Sequence, residues 1–349
     1  MNTIKIGIIG AGENTRLKHI PELQKIAGVE IVSICNRSEE SSLKVAREFS
    51  IKKVCNNWQE VIEDEDINAV VIGTWPNMHE IITNAALMAG KHVLCEARMA
   101  MDAKEAEEML RTSRCFPHLV SQIVPGPFTF PYDETIIDII KQGKLGEIFA
   151  VNVRFNSSEF ISGNKEMTWR ENIDLSGLNT MMMGIVYESL SRWLGHAKSV
   201  QASGKIYSQT KIWEGQIKAV EIPEHLDIIA DLYCGAQANM QFSSVTGLAE
   251  NHQDIWIFGS EGTLHLDLQK QSLKFGSREQ KLTELELIKT KYSQWRVEEE
   301  FIGAIRCHEK VKYTTFEDGF KYMEFTEAVA LSRRSGYSVN LPLKLNVNG

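Results

Sequence analysis

Gly10 and Gly12 are the first residues of this 349-residue chain whose type and spacing could do chemistry. They lie in the run IKIGIIGAGENTR, Ile4 to Arg16. Ile6, Ile8 and Ile9 read as a buried strand running straight into the glycines, and Lys18 to Ala27 reads as the helix that follows. Strand, tight turn and helix make a phosphate cradle. Gly10 allows the sharp turn, Gly12 lets the backbone approach a pyrophosphate, and the helix N-terminus turns N–H groups and a positive dipole end toward the anion. Glu13 and Asn14 lie on the same turn. Thr15 occupies the third fingerprint position, where Gly or Ala is usual.

Further candidates stand at the ends of later strands. Val29 to Cys35 reads as the second strand and ends at Asn36-Arg37-Ser38. An acidic residue there would bind the ribose hydroxyls of NAD and repel a 2′-phosphate. Asn36 is neutral, Arg37 can pair with a phosphate or stack on adenine, and Ser38 can donate to a phosphate or cap the next helix. The set favours NADP over NAD, with an ordinary helix cap and a solvated Arg as the competing reading. The apolar run Ala69 to Thr74 leads into Trp75 and Pro76, and His79 opens another helix. Trp75 covers a cofactor or packs; His79 starts a helix or serves as a base. Lys91 to Glu96 leads into Ala97 and Arg98, and Gln122 lies in His118 to Ile123. In an open parallel sheet these carboxyl ends are where ligands sit.

The elements that position these residues alternate strand and helix through Ile123, the pattern of a doubly wound α/β domain. Pro125, Pro127 and Pro131 mark a change. Helix Glu134 to Gln142 precedes a long alternating strand, Glu147 to Phe155. Further strands are expected at Val200 to Ile206, His225 to Tyr233, Ala236 to Ser243, Gln253 to Gly259, Gly262 to Leu268 and Ser272 to Phe275. Consecutive strands with short turns imply a largely antiparallel open sheet. Helices are expected at Glu298 to Ile305 and Phe316 to Ser332, the latter packing back on the first domain. The division is thus a Rossmann domain over 1–123 and an α+β domain over 124–349. Hydrophobic content is 43% and charged content 24%, ordinary for a globular protein. A net charge of −8 without a basic tract argues against nucleic acid. No apolar run is long enough for a bilayer, so a cytoplasmic protein without a membrane partner is expected. The six cysteines are scattered without a CxxC pair, which argues against a zinc site, and Cys35 and Cys95 read as buried thiols.

In order and spacing the chain resembles the Gfo/Idh/MocA family, the glucose–fructose oxidoreductase and inositol dehydrogenase group. The resemblance rests on GIIGAG (Gly7 to Gly12), AVVIGT through His79, AGKHVLCE (Ala89 to Glu96), GKLGEI (Gly143 to Ile148), Trp169-Arg170, Arg192-Trp193-Leu194-Gly195 and GSEGTLHLD (Gly259 to Asp267). It covers nearly the whole length. It implies an N-terminal Rossmann domain and a C-terminal α/β domain whose open sheet often forms an oligomer interface. It also implies hydride transfer between NAD or NADP and a sugar or cyclic polyol held between the Rossmann edge and that sheet, with Trp169 and Arg170 near cofactor and substrate. A homodimer or homotetramer is expected.

Three family positions depart. The usual Glu-Lys-Pro is Glu96-Ala97-Arg98, without the catalytic lysine. Alignment on Gly184 and Arg192-Trp193 puts Met182 and Val186 where an Asp and a His usually share one helix face. None of the three can move a proton. Either other groups do this work, with Glu188, His79 and Tyr187 for protons and Arg98 and Asn179 for polarising substrate, or the chain binds a dinucleotide or sugar without redox chemistry, as a regulator. Glu188 also stands at i,i+4 spacing from Arg192, which suits a buried ion pair, and Tyr187 suits packing.

Overall fold

The computed structural model describes residues 3–157, 159–161, 165–250 and 252–344. The chain forms two compact units. The first is Met1–Pro125 with Arg296–Phe320; the second is Gly126–Trp295 with Lys321–Gly349. The chain passes between the units more than once: residues 296–320 return to the first unit, where the sequence division had a single change after residue 123.

In the first unit, β1 (Ile4–Ile9), β2 (Val29–Cys35), β3 (Lys53–Val54), β4 (Ala69–Ile72), β5 (His92–Cys95) and β6 (Ser121–Ile123) form a wholly parallel sheet of order β3-β2-β1-β4-β5-β6. The connecting helices are α1 (Ile20–Lys25), α2 (Glu39–Phe49), α3 (Trp58–Glu63), α4 (His79–Met88) and α5 (Ala103–Cys115). All of β4 is solvent-excluded, as its unbroken Ala-Val-Val-Ile run requires of a parallel strand covered on both faces. Helical turns begin at residue 13, earlier than the expected Lys18, and open as a wide π turn over Thr15–His19 before α1. Such turns are rare and are frequent at functional sites. Cys35 and Cys95 are buried, as expected.

The second unit holds α6 (Phe130–Lys141), β7 (Ile148–Asn156), α7 (Ile173–Ser176), α8 (Met183–Leu194), β8 (Ala197–Lys205), β9 (Thr210–Trp213), β10 (Gln216–Ala219), β11 (His225–Leu232), β12 (Gln237–Ser243), β13 (His252–Gly259), β14 (Gly262–Asp267), β15 (Ser272–Ser277), β16 (Thr283–Glu284) and, near its end, β17 (Val339–Asn340). Pro131 sits in the first turn of α6, where its missing N–H costs nothing, so it starts a helix. Nine of the strands form one sheet, antiparallel except for the β7–β12 pair. The β9–β10 hairpin escapes sequence inspection because its turn is Glu214-Gly215, both at positive φ, instead of the usual Asn-Gly.

α9 (Val297–Ile305) belongs wholly to the first unit, whereas α10 (Phe316–Ser335) has only its first residues there. The expectation that α10 packs back on the first domain holds for its first residues, which are counted with that unit; the rest of the helix is counted with the second. Phe325 stacks on Tyr187 and Ser332 accepts the Ala202 N–H, both within the second unit. The long helix carries enough apolar residues to serve either unit, and the sequence gives no sign of which.

Phe242 is fully buried in the second sheet beside Phe155. Phe242→Ala should lower stability by about 3–5 kcal/mol through lost burial and a residual cavity, read as a fall in the urea midpoint.

Candidate functional site

The chain order reverses between β1 and β4, and the residues after these two strands make a crevice floor at the switch point. Gly10 has φ +84°, and a Cβ there would lie 2.7 Å from the Thr74 backbone nitrogen. A Cβ on Gly73 would overlap Gly10 O and Thr15 Oγ1. Thr15 is thus accommodated at the third fingerprint position because the facing residue on β4's exit is glycine. Gly73 carries half of the close approach, and its only signal in the sequence is a glycine ending an apolar strand. Gly12 differs. A Cβ there would meet nothing nearer than Gly73 O at 3.6 Å. Space lies above Gly12 for a group that approaches the turn.

The end of β2 organises this turn. Asn36 Oδ1 accepts the Ala11 N–H at 2.7 Å, and the Asn36 N–H donates to Ser42 Oγ at 2.8 Å. Ser38 caps α2 by accepting from the Ser41 N–H, the capping role its position also allowed. Arg37 lies over the Trp75 ring, its guanidinium carbon 5.0 Å from the centroid, so two candidates from separate strands meet. Pro76 is buried in the turn before α4, and Glu13 is exposed. Thr74 Oγ1 and Asn77 Oδ1 are buried at this edge without a hydrogen-bond partner. Buried polar atoms of that kind call for a partner.

Glu96 ends β5 within a hydrogen-bond cluster. Its Oε1 accepts Asn14 Nδ2 at 2.5 Å and meets His19 Nε2 at 3.0 Å, and its Oε2 accepts the Ala97 N–H at 3.1 Å. Burial acts to raise the Glu96 pKa, but the His19 contacts outweigh it and hold the carboxyl below its usual range. His79 is solvent-excluded. Its Nδ1 lies 2.9 Å from Arg98 O and its Nε2 3.1 Å from Thr74 O, and a neutral ring donates its one N–H to one of these carbonyls. Burial lowers its pKa against those carbonyls. Solvent-excluded and facing carbonyls on both sides, the ring is badly placed for the proton transfer expected of it. Arg98 is buried just beyond. Gln122 is drawn away from the ligand edge: its Nε2 donates to Glu300 Oε2 at 2.9 Å and to Tyr313 O at 2.7 Å, tying β6 to the returning segment.

In the second unit the expected proton handlers are scaffold. Glu188 receives Arg192 through Nε–Oε1 at 2.9 Å and Nη2–Oε2 at 2.6 Å. Arg192 Nη1 also donates to Asp133 Oδ2 at 2.9 Å, and Trp193 Nε1 to Asp133 Oδ1 at 2.7 Å. Burial disfavours the Arg192 charge, but Glu188 and Asp133 more than compensate and raise its pKa. The i,i+4 ion pair, not a base, is what the geometry presents at Glu188. The Tyr187 hydroxyl accepts the Ala197 N–H at 2.8 Å and its ring stacks on Phe325 at 3.7 Å; burial raises its pKa. Asn179 lies in the turn before α8, not at its first residues, and donates through Nδ2 to Ser176 O at 2.7 Å. Val186 is solvent-excluded, and Met182 is 37% exposed just ahead of α8. Arg170 lies over the Trp169 ring at 4.3 Å.

Gly12→Ala should leave the melting temperature unchanged, whereas Gly10→Ala should cost about 1–3 kcal/mol because its φ and its neighbours both exclude a Cβ; calorimetry of the two variants checks this. Glu188→Ala should cost about 3–5 kcal/mol by stranding a buried guanidinium, and should leave dinucleotide titration by the first unit unchanged.

Residues 4–117 match the family model described as an oxidoreductase family with an NAD-binding Rossmann fold, and residues 134–265 match the GFO/IDH/MocA C-terminal domain. An uncharacterized oxidoreductase of Rhizobium meliloti is 32% identical over 155 residues, 43% of this chain and 45% of that protein. A 1,5-anhydro-D-fructose reductase of Ensifer adhaerens is 37% identical over 108 residues, 31% of this chain and 32% of its own length. The chain spans less than half the length of these curated relatives. A levoglucosan dehydrogenase, solved in complex with NADH and L-sorbose, has a TM-score of 0.84 at 19% identity and covers 98% of this chain and 100% of its own, a likeness of fold. The two domain models, met in order on the two parts of one chain, make it a member of the Gfo/Idh/MocA family.

Proposed function

We propose that this protein is an NAD(P)-dependent oxidoreductase acting on a sugar or cyclic polyol. The observation that carries the reading is the crevice floor. Space lies over Gly12, and Thr74 Oγ1 and Asn77 Oδ1 are buried after β4 without partners. These features fit a dinucleotide, which would supply hydride chemistry at its nicotinamide ring when bound. The glycine turn would hold the pyrophosphate against its backbone N–H groups. Thr74 and Asn77 would give their unpartnered atoms to ribose or amide groups. Arg37, braced on Trp75, would meet the adenosine end, and the neutral Asn36 leaves room for a 2′-phosphate. NADP is therefore the favoured form. The sugar class is supported by the relatives, among them the anhydrofructose reductase and the levoglucosan dehydrogenase.

A second reading is a dinucleotide- or sugar-binding regulator without turnover. It draws on the engagement of His79, Glu188 and Tyr187 in internal bonds, with Ala97, Met182 and Val186 at the positions where the family resemblance expects acid–base residues. Fluorescence titration with NADH and NADPH, followed by turnover across a panel of sugars and cyclic polyols, separates the two. Binding with turnover is expected; binding without turnover on any member of the panel favours the regulator, and binding of neither dinucleotide overturns the oxidoreductase reading and the dinucleotide form of the regulator. Arg37→Ala should weaken NADPH more than NADH in the same titration, and equal losses would remove the case for NADP.

A further inference from the structure

His19 is solvent-excluded in the π turn that opens the first helix. Its Nε2 faces Glu96 Oε1 at 3.0 Å, and its Nδ1 faces Glu298 Oε1 at 2.5 Å. Both ring nitrogens therefore meet carboxylates, and only the imidazolium, with two N–H donors, satisfies both. Asn14, on the glycine turn, donates to the same Glu96 oxygen at 2.5 Å. One chain of contacts thus runs from the turn through Glu96 and His19 to the first turn of α9, joining residues 279 apart in sequence within a single unit.

The charged groups facing His19 include Glu96, from the end of β5, and Glu298, from α9; Asn14, at 3.4 Å, is neutral. Burial works to keep the ring neutral, but Glu298 and Glu96 together raise its pKa to about 9. The folded pKa lies above the usual 6.5, so the stabilisation is fully present below pH 6.5 and is lost as pH rises through about 9. Losing that proton leaves two buried carboxylates around one neutral ring. The neutral ring keeps a single N–H and can donate to only one of them, so the bond on one side of the clamp is lost.

We propose that His19 is a positioning residue for the dinucleotide site. Its imidazolium clamps Glu96 and, through it, Asn14 on the glycine turn, and the bond to Glu298 couples occupancy of that turn to the seating of α9. The proposal rests on the dinucleotide reading above, and its consequence is a cofactor affinity that depends on a proton held deep in the unit. His19→Gln places a neutral amide where both carboxylates need donors. Glu298→Gln keeps a hydrogen-bonding group but removes one of the two charges that hold the proton.

The test is NADPH and NADH titration from pH 6 to 10 with the wild type, His19→Gln and Glu298→Gln, together with hydrogen exchange of all three without ligand. The expected wild-type affinity is flat to pH 8 and falls through about 9. His19→Gln should bind about tenfold more weakly at pH 7, the worth of one charge-assisted hydrogen bond, and lose the inflection that separates it from the wild type. Glu298→Gln should keep an inflection, moved toward lower pH, a shift that a purely structural role would not produce. In His19→Gln, exchange should quicken both in the glycine turn and in α9. A His19→Gln protein with wild-type affinity and pH profile overturns the proposal, as does a Glu298→Gln inflection left in place. If the wild type binds neither dinucleotide, the cofactor reading fails and this role with it. Hydrogen exchange then reads the contacts separately: quickened exchange in His19→Gln means an intact relay serving no cofactor, and unchanged exchange means that the relay fails as well.

Discussion

The first unit depends on one close approach between backbones. β1 and β4 lie side by side, and the chain leaves their carboxyl ends through Gly10 and Gly73, which touch without room for a Cβ on either. Thr15 fills the space this leaves, and the adjoining turn is tied to β2 through Asn36. A parallel sheet whose strand order reverses must open a crevice at that point, but only small residues let the crevice become a shallow cradle. Gly12 is then the exception that carries information. The protein itself leaves room for a side chain there, so no close packing within the unit requires a glycine at that position.

The second unit depends on a different constraint, the satisfaction of a buried guanidinium. Arg192 sits between Glu188 and Asp133, with Trp193 completing the bonds to Asp133. Such a cluster adds little net stability over an apolar core of the same shape, yet removing one member is costly, because the remaining charges lose their compensation. The network joins α6 to α8, with the Gly126 N–H also reaching Glu188 at 3.4 Å. It commits a carboxylate whose position on α8 suggests chemistry to holding helices together. His79 is held inside the first unit between two carbonyls, one of which accepts its N–H. The acid–base capacity of this chain is therefore narrower than its count of polar residues implies.

What remains close to the proposed cofactor is a set of oriented polar atoms and one buried proton. Thr74 and Asn77 offer atoms that lack protein partners, and Glu96 is held anionic by His19. Oriented groups of this kind contribute binding and alignment, which can supply a large share of catalysis when the cofactor carries the redox step. The apolar Ala97 lies next to them, so a substrate proton would need a carrier other than an ammonium at that position.

The amino-acid sequence by itself determined the features that depend on neighbours in the chain. Period and apolar runs marked the parallel strands, alternation marked the antiparallel ones, and the glycine turn announced an anion cradle, because each is a local steric or burial requirement. The i,i+4 spacing of Glu188 and Arg192 was legible for the same reason, although spacing could not say that Asp133 and Trp193 would complete the cluster. Tertiary structure decided what local pattern leaves open. It paired Gly73 with Gly10, set Arg37 over Trp75, turned His79 inward, and returned residues 296–320 to the first unit. His19 is the clearest case. Nothing around it in sequence distinguishes it from a surface histidine, and its charge is decided by Glu298, which only the folded chain brings within 2.5 Å. Electrostatic partners act through space, and their identity is settled only when the chain closes on itself.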